Sequence, residues 1–354
     1  MIKVISSIEE FHGIEAVWNQ LYLQAINMTP FQSFMYNYLS WTVYMKNAGC
    51  LYIIECISDK DKKLKAIFPC YIDKNNRLRF INDRDTDFCN AVIDKNADDY
   101  RLFEELSEFL KEEKRIKSVR WDNLEYNNHL KAVFLPFFKV VYLHDINAYS
   151  KMSIYPLDCD KSFFDSIRHI NGQRRKKLSK VLLQERNLQF LFLQQSAGHS
   201  FPESEVRSLV NIMVSNQIRR QEYFSEEMIL FWIRMYETGL LTVALLYQDD
   251  VIKSVNFMFY NQANNEYIKW IMLYADKRYN LIINLKLIEY LYNHGGAVIN
   301  FARGIYDYKM VNYHPTVFCL YRLEMEKTNS SALTGLITIN KYYMKKIVKS
   351  IIRK

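Results

Sequence analysis

The sequence predicts two α/β domains in tandem, and three observations carry that prediction. The chain has 354 residues, beyond the size at which one hydrophobic core usually stops growing. Nearly half of it (49%) is hydrophobic, with 22 Phe and 26 Tyr, enough large apolar surface for a globular chain and too much for a disordered one. The order of predicted elements also repeats: each half runs helices, an antiparallel meander, one helix and then more strands, and the halves join around 146–160. The expected division is an N-terminal domain over 1–150, a second domain over 151–328 and a tail over 329–354.

In the first half, Ile2-Lys3-Val4-Ile5 reads as a strand, and Ser7-x-x-Glu10 is a capping box that opens a helix to about Ala25. A second helix is predicted from about Met35 to Asn47. Strands follow near 50–57, 64–73 and 78–81, then a helix over about 97–113 and strands at 117–121 and 138–144. The second half predicts helices near 160–185, 203–218 and 225–238, then strands near 241–247, 251–260 and 265–273. It closes with a helix over about 282–293, the strand 297–301 and a last strand at 316–324. The stripe Met228, Phe231, Trp232 and Met235 has core spacing.

Composition narrows the function classes. Cysteines at 50, 56, 70, 89, 159 and 319 form no C-x-x-C pair, which suits reduced, mostly buried thiols better than a disulfide framework or a zinc site. No uncharged apolar run approaches the ~20 residues that cross a bilayer, and the N-terminus lacks a signal-peptide core, so a cytoplasmic protein is expected. Of the net charge of +8, six come from Lys341, Lys345, Lys346, Lys349, Arg353 and Lys354, which leaves +2 for the rest and argues against a diffuse nucleic-acid-binding surface. That tail places Tyr343, Met344, Ile347, Val348, Ile351 and Ile352 on one helical arc and its cations on the other. It suits either an anionic membrane surface at the inner face or docking on the body. There is no Walker loop, G-x-G-x-x-G, H-E-x-x-H or Cys/His metal spacing, so no metal or dinucleotide is expected.

The stretch Ile299-Asn300-Phe301-Ala302-Arg303-Gly304, with Tyr308-Lys309 following, is the strongest candidate site. An apolar strand ends in Arg-Gly, and Gly304 lets the backbone turn there, leaving Arg303, Tyr308 and Lys309 beside whatever binds. Arg303 can hold a phosphate or carboxylate bidentately, or pair with Asp307 or Asp276. Lys309 can meet an anionic group. Tyr308 can orient or protonate a leaving group, and Asp307 is a candidate base that also fits a local turn cap. His294, before Gly295-Gly296, reads as a helix C-terminus, and His314 is a base only if it faces a cleft. In the middle of the chain, Arg174-Arg175-Lys176-Lys177 offers phosphate contacts or a solvated helix face.

Taken together, these motifs resemble the tandem GNAT-fold acetyltransferases of the CelD-like group (cellulose and exopolysaccharide biosynthesis), relatives of the Fem peptidoglycan aminoacyltransferases. Trp18-Asn19-x-Leu21, Pro30-Phe31-Gln32-Ser33 and Trp41 resemble their opening helix and aromatic-Gln-Ser turn. Ile170 to Leu178 resembles the basic segment that begins their second domain. The run 299–304 with Tyr308-Lys309 is similar to their terminal strand-turn motif. Two departures stand out: Leu281-Ile282-Ile283-Asn284 replaces a small Ser-Pro-Gly-like turn, and Asn300 replaces an Asp.

The resemblance implies two GNAT-like domains, each a mixed, largely antiparallel sheet flanked by helices. It implies an N-acyltransferase that moves an acyl group from acyl-CoA (acetyl-CoA) to an amine or amino-sugar acceptor of a surface-polysaccharide or cell-envelope precursor. Asp307 and Tyr308 would be catalytic; Arg303, Lys309, Asn300, Arg174 and Arg175 would contact substrate, and Asn284 and Arg278 the CoA. It places a splay between strands 251–260 and 265–273. The alternatives are Fem-like aminoacyl transfer from charged tRNA, the one case involving nucleic acid, and a non-catalytic GNAT-fold binding protein at the membrane surface.

Overall fold

The structure, a computed structural model, describes residues 1–25, 28–45, 47–125, 137–138, 140–154 and 172–327. The predicted tail helix, the latter part of the expected join 146–160, the start of the predicted helix 160–185 and Cys159 lie outside the described residues, while the join's first part, through residue 154, is strand. The chain forms two compact units: Met1–Ile146 with the chain from Cys319 onward, and Asn147–Phe318.

In the first unit, β1 (Ile2–Ile5) leads into α1 (Ile8–Gly13) through the predicted capping box. Ser7 Oγ accepts from the Glu10 amide at 3.1 Å, and the Glu10 carboxylate accepts from the Ser7 amide at 3.3 Å. The helix does not run unbroken to Ala25. It stops at Gly13 and restarts as α2 (Glu15–Gln24), which turns Trp18 and Leu21 into the core beside Phe11. The Trp18 indole donates to the Gln32 carbonyl at 3.0 Å, tying this helix to the buried Pro30–Gln32 turn. The second predicted helix is also shorter: α3 (Phe34–Leu39) passes into a π-turn over Ser40–Tyr44.

Two predicted strands divide in the same way. β2 (Gly49–Leu51) breaks from β3 (Ile53–Ile57) at Tyr52, and β4 (Leu64–Phe68) from β5 (Cys70–Asp73) at Pro69, which has no N–H to donate to a ladder. The halves then serve different sheets. One has the order β1-β3-β4-β7, with β7 at Val92–Ile93. The other runs β15-β8-β6-β5-β2, where β6 is Arg77–Phe80, β8 is Ser118–Glu125 and β15 is Thr316–Glu326. The helix α4 (Asp99–Glu112) contributes Leu102, Phe103, Leu106 and Leu110 to a core shared with Phe68, Phe80 and Trp121. Among the described cysteines, Cys56, Cys70 and Cys89 are buried, Cys50 and Cys319 are exposed, and all five are free thiols.

A charged cluster lies in this unit. Asp122 is paired with Arg120 and Arg322, which hold its carboxyl below the usual range against the cost of burial. Asp83 sits 2.8 Å from Arg79, yet burial outweighs that pairing and pushes its carboxyl up to about 6. A carboxyl raised in the fold favours the folded state when protonated, so this contribution is present below the unfolded value near 4 and lost as pH rises to about 6. Asp83→Asn should therefore gain stability relative to wild type between about pH 4 and 6, by up to about 1.4 kcal/mol per pH unit. Parallel pH profiles by urea denaturation would contradict it.

The second unit holds α5 (Gly172–Gln184), β10 (Leu188–Leu193), α6 (Glu203–Ser215), α7 (Glu226–Glu237), β11 (Leu241–Gln248), β12 (Val251–Asn261), β13 (Glu266–Tyr274), α8 (Lys277–Asn293), β14 (Ala297–Arg303) and α9 (Asp307–Tyr313). Its sheet runs β10-β11-β12-β13-β14-β9, to which β9 (Val140–Ile154) contributes its residues from Asn147 onward. All of these pairings are antiparallel except β13 with β14. β10 is absent from the predicted strands, although its apolar run Phe190-Leu191-Phe192-Leu193 lies fully in register with β11. Met228, Phe231, Trp232 and Met235 of α7 are core residues, as their spacing predicts. Among the described residues no helix is long and apolar enough to cross a membrane.

Candidate functional site

β13 and β14 pair at three positions, Glu266 with Val298, Tyr267 with Ile299 and Ile268 with Asn300. Past Ile268, β13 continues to Tyr274 and β14 to Arg303 with no further pair between them among the described residues, so a fork opens in the sheet. The fork lies one strand away from the expected splay. β12 and β13, the strands 251–260 and 265–273 of the sequence reading, stay paired from Asn261–Glu266 to Ser254–Tyr274. The cause is connectivity: a short Gln262–Asn264 turn ties β12 to β13, whereas the whole of α8 separates β13 from β14.

Within the fork β13 carries a bulge. Phe257 pairs with Ile271 and Met258 with Lys269, so Trp270 is an extra residue outside the ladder. Lys269 is the first residue of β13 past the last β13–β14 pair, and only 3% of it is exposed. Its ammonium donates to Asn284 Oδ1 of α8, lies 3.0 Å from Met272 Sδ and sits 5.8 Å from the Phe301 ring centre on β14. Asn284 is buried, accepts from Asn256 Nδ2 at 3.2 Å and donates to Asn280 Oδ1 at 3.2 Å. Tyr308 and buried Tyr313 of α9 adjoin this chain of polar groups, near Asn280 and Asn284 respectively. Burial pushes the Tyr308 hydroxyl up to about 12.

The Arg-Gly turn is held by local contacts. Asn300 donates to Glu266 Oε1 at 2.7 Å, and its own oxygen accepts from the Ala302 amide at 2.9 Å, fixing Ala302 at φ 59° in the β14 bulge. Glu266 is buried and paired with Lys151 at 2.9 Å, so an Asp at 300 would face a second carboxylate. This accounts for the amide at that position. Gly304 has φ 97°, and a Cβ there would stand 2.6 Å from the Tyr306 ring. Gly304→Ala should cost about 1–3 kcal/mol, read as a shift in urea midpoint, and an unchanged midpoint would contradict the assignment.

Lys309, expected to meet a ligand, is 97% covered, and its ammonium donates to the carbonyls of Phe301 at 2.6 Å, Gly304 at 3.0 Å and Arg303 at 3.4 Å. It clamps the end of β14 to the first turn of α9.

The structure thus brings Asn284, Tyr308, Lys309 and Asn300 around the fork. Arg303 is half-buried at the end of β14, and Asp307 is exposed in the first turn of α9. Arg174 and Arg175 begin α5, half-buried; the Arg174 Nε is buried with no hydrogen-bond partner among the described residues, and Arg174 lies within electrostatic reach of Tyr313. Arg278 is exposed, 3.3 Å from Glu185 and stacked 4.8 Å over the Tyr279 ring. His294 closes α8 with Nδ1 2.7 Å from the Tyr290 carbonyl, while His314, exposed, caps α9 in the left-handed region.

Lys269 and the bulge at Trp270 went unread in the sequence. The signal available was a lysine inside the apolar run Tyr267-Ile268-Lys269-Trp270-Ile271-Met272, where simple alternation gives no hint of burial on both sides. Among the described residues no group of three or more His, Cys, Asp or Glu is placed to hold a metal.

No protein-family model matches the sequence, and none of the curated proteins matches it. Solved structures do resemble it. The C-terminal domain of a protein named as a lysylphosphatidylglycerol synthetase from Agrobacterium fabrum aligns with a TM-score of 0.59 at 12% identity, over 94% of this chain and 95% of that one. FemX aligns at 0.58 and 10% identity, over 94% and 99%. A tandem GNAT protein from the clavulanic acid biosynthesis pathway aligns at 0.51 and 9% identity, over 92% and 98%. These likenesses concern the fold and do not single out the CelD-like group. The architecture is the GNAT fold in tandem.

Proposed function

We propose that the chain is a transferase that moves an acyl or aminoacyl group from an activated ester or thioester to an amine, with the reacting carbonyl seated where β13 and β14 part. The fork carries this reading: it presents backbone groups of two strands that an intact sheet would pair with each other, at a place an extended acyl group can enter. The bulge at Trp270 breaks the regular β12–β13 register inside the fork, the place we propose for the oxyanion as the carbonyl becomes tetrahedral. Tyr308, neutral at physiological pH, can donate a proton to the leaving group. The acceptor we propose, an amine of a surface-polysaccharide or cell-envelope precursor, follows from the motif resemblance.

One observation bears on the donor. The Asp276 carboxylate accepts from the Arg278 amide at 2.8 Å and so occupies the N-terminus of α8, the end at which a pyrophosphate would bind. An aspartate at that seat disfavours a bound pyrophosphate and so disfavours CoA; the aminoacyl ester of a charged tRNA has no pyrophosphate to seat there, and it is the donor we favour, as in the Fem-like reading. The test is to incubate the protein with a cell-envelope precursor extract and either acetyl-CoA or aminoacyl-tRNA, then follow amines by mass spectrometry. An enzyme-dependent mass gain of one aminoacyl residue is expected. A gain of acetyl alone would return the donor to acyl-CoA, and no gain from either would contradict the transferase.

A further inference from the structure

We infer that Lys269 is the proton acceptor of this transfer, an inference that rests on the reading of the fork as the reacting centre. Its place is the first argument. It is the first residue inside the fork, and its amine reaches from β13, one arm of the fork, to Asn284 of α8 and over the Phe301 ring of β14, the other arm.

Its surroundings are the second argument. Among the described residues no carboxylate pairs with Lys269; its polar contacts are the Asn284 oxygen and the Met272 sulfur. The titratable groups facing it are Lys309 and, stacked on Phe301 at 4.8 Å, Tyr313, both of α9. Arg174 of α5 lies beyond Tyr313. α8, β12 and β14 present Asn284, Asn256 and the Phe301 ring. Burial, and then the charge of Lys309, push the Lys269 amine well below the usual lysine range. A methionine would fill the same volume without the cost of burying an amine, so packing alone does not explain the lysine. The side-chain oxygen of Asn284 fixes the direction of the Nζ without neutralising it.

The proton balance is simple. Neutral Lys269 takes a proton from the acceptor ammonium, and the freed amine nitrogen bonds to the carbonyl carbon. The carbon–oxygen or carbon–sulfur bond then breaks, Tyr308 gives its proton to the departing oxygen or sulfur and regains one from Lys269, and the surplus proton on the new amide nitrogen goes to water.

The test has two readouts on the full chain. In protein labelled with 13Cε-lysine, the signal lost in Lys269→Met is expected to titrate below all the other lysines; titration together with the exposed lysines overturns the inference. In the transfer assay, Lys269→Met and Lys269→Arg should both lose at least about 100-fold in rate, and the lower limb of the wild-type pH–rate profile should fall at the NMR midpoint. Transfer whose lower limb survives in Lys269→Met overturns this inference and leaves the proposed reaction standing. Absence of transfer in the wild type, with Lys269 still titrating low, removes the reaction and the base with it.

Discussion

Lys309→Met is expected to destabilise the fold by about 3–5 kcal/mol, the largest single effect the site predicts. Three carbonyl oxygens, of Phe301, Arg303 and Gly304, share its ammonium, and each loses a charged donor in a place where water does not replace it. Those carbonyls close β14 and open the turn into α9, so the loss should appear as a lower urea midpoint together with faster amide exchange over residues 301–313. A loss confined to ligand affinity, with stability unchanged, would return Lys309 to the role of a surface ligand contact.

Lys269→Met should act in the opposite direction. The unfolded chain holds the Lys269 proton up to about pH 10.4, while the folded chain releases it well below that. Between the two values the unfolded state binds more protons, so wild-type stability should rise with pH, by about 1.4 kcal/mol per unit from this group, and fall by the same amount toward neutrality. The methionine variant has no such proton to lose. It should be more stable than wild type at pH 7, and the difference should shrink steadily toward pH 10. A variant that is less stable at pH 7, or whose deficit does not depend on pH, would show that the amine is held charged by partners other than those seen around it. The opposite signs at two buried lysines follow from their neighbours: carbonyl oxygens around Lys309, and an amide, a thioether and a second ammonium around Lys269.

Much of the second unit was legible because its elements are long and strongly patterned. α7 carries core residues at helical spacing, and β11, β12 and β13 form a meander whose ends the turn residues mark. The turn at Gly304 was readable because only glycine suits φ 97° against the Tyr306 ring. What the sequence hid was the partner of each polar group. Asn300 looked like a ligand contact, yet Glu266, 34 residues earlier, takes its amide. Lys309 was expected to meet an anionic group, and a turn of helix folds its ammonium back over carbonyls at the strand end. Lys269 gave one local sign, a lysine within an apolar run, and only the parting of β13 from β14, set by the length of α8 between them, makes its position special. In the first unit, the breaks at Tyr52 and Pro69 split two apparently continuous strands between sheets, which alternation within each segment does not reveal.

The central claim is that an activated acyl or aminoacyl donor enters the fork between β13 and β14. Hydrogen–deuterium exchange with and without donor tests it most directly, using acetyl-CoA in one arm and a short RNA ending in a non-hydrolysable aminoacyl-adenosine amide in the other. The account predicts that one of these donors slows exchange over residues 268–274 and 299–304, while the paired strands β11 and β12 stay unchanged. No protection from either donor, or protection that spares both arms of the fork, would contradict it.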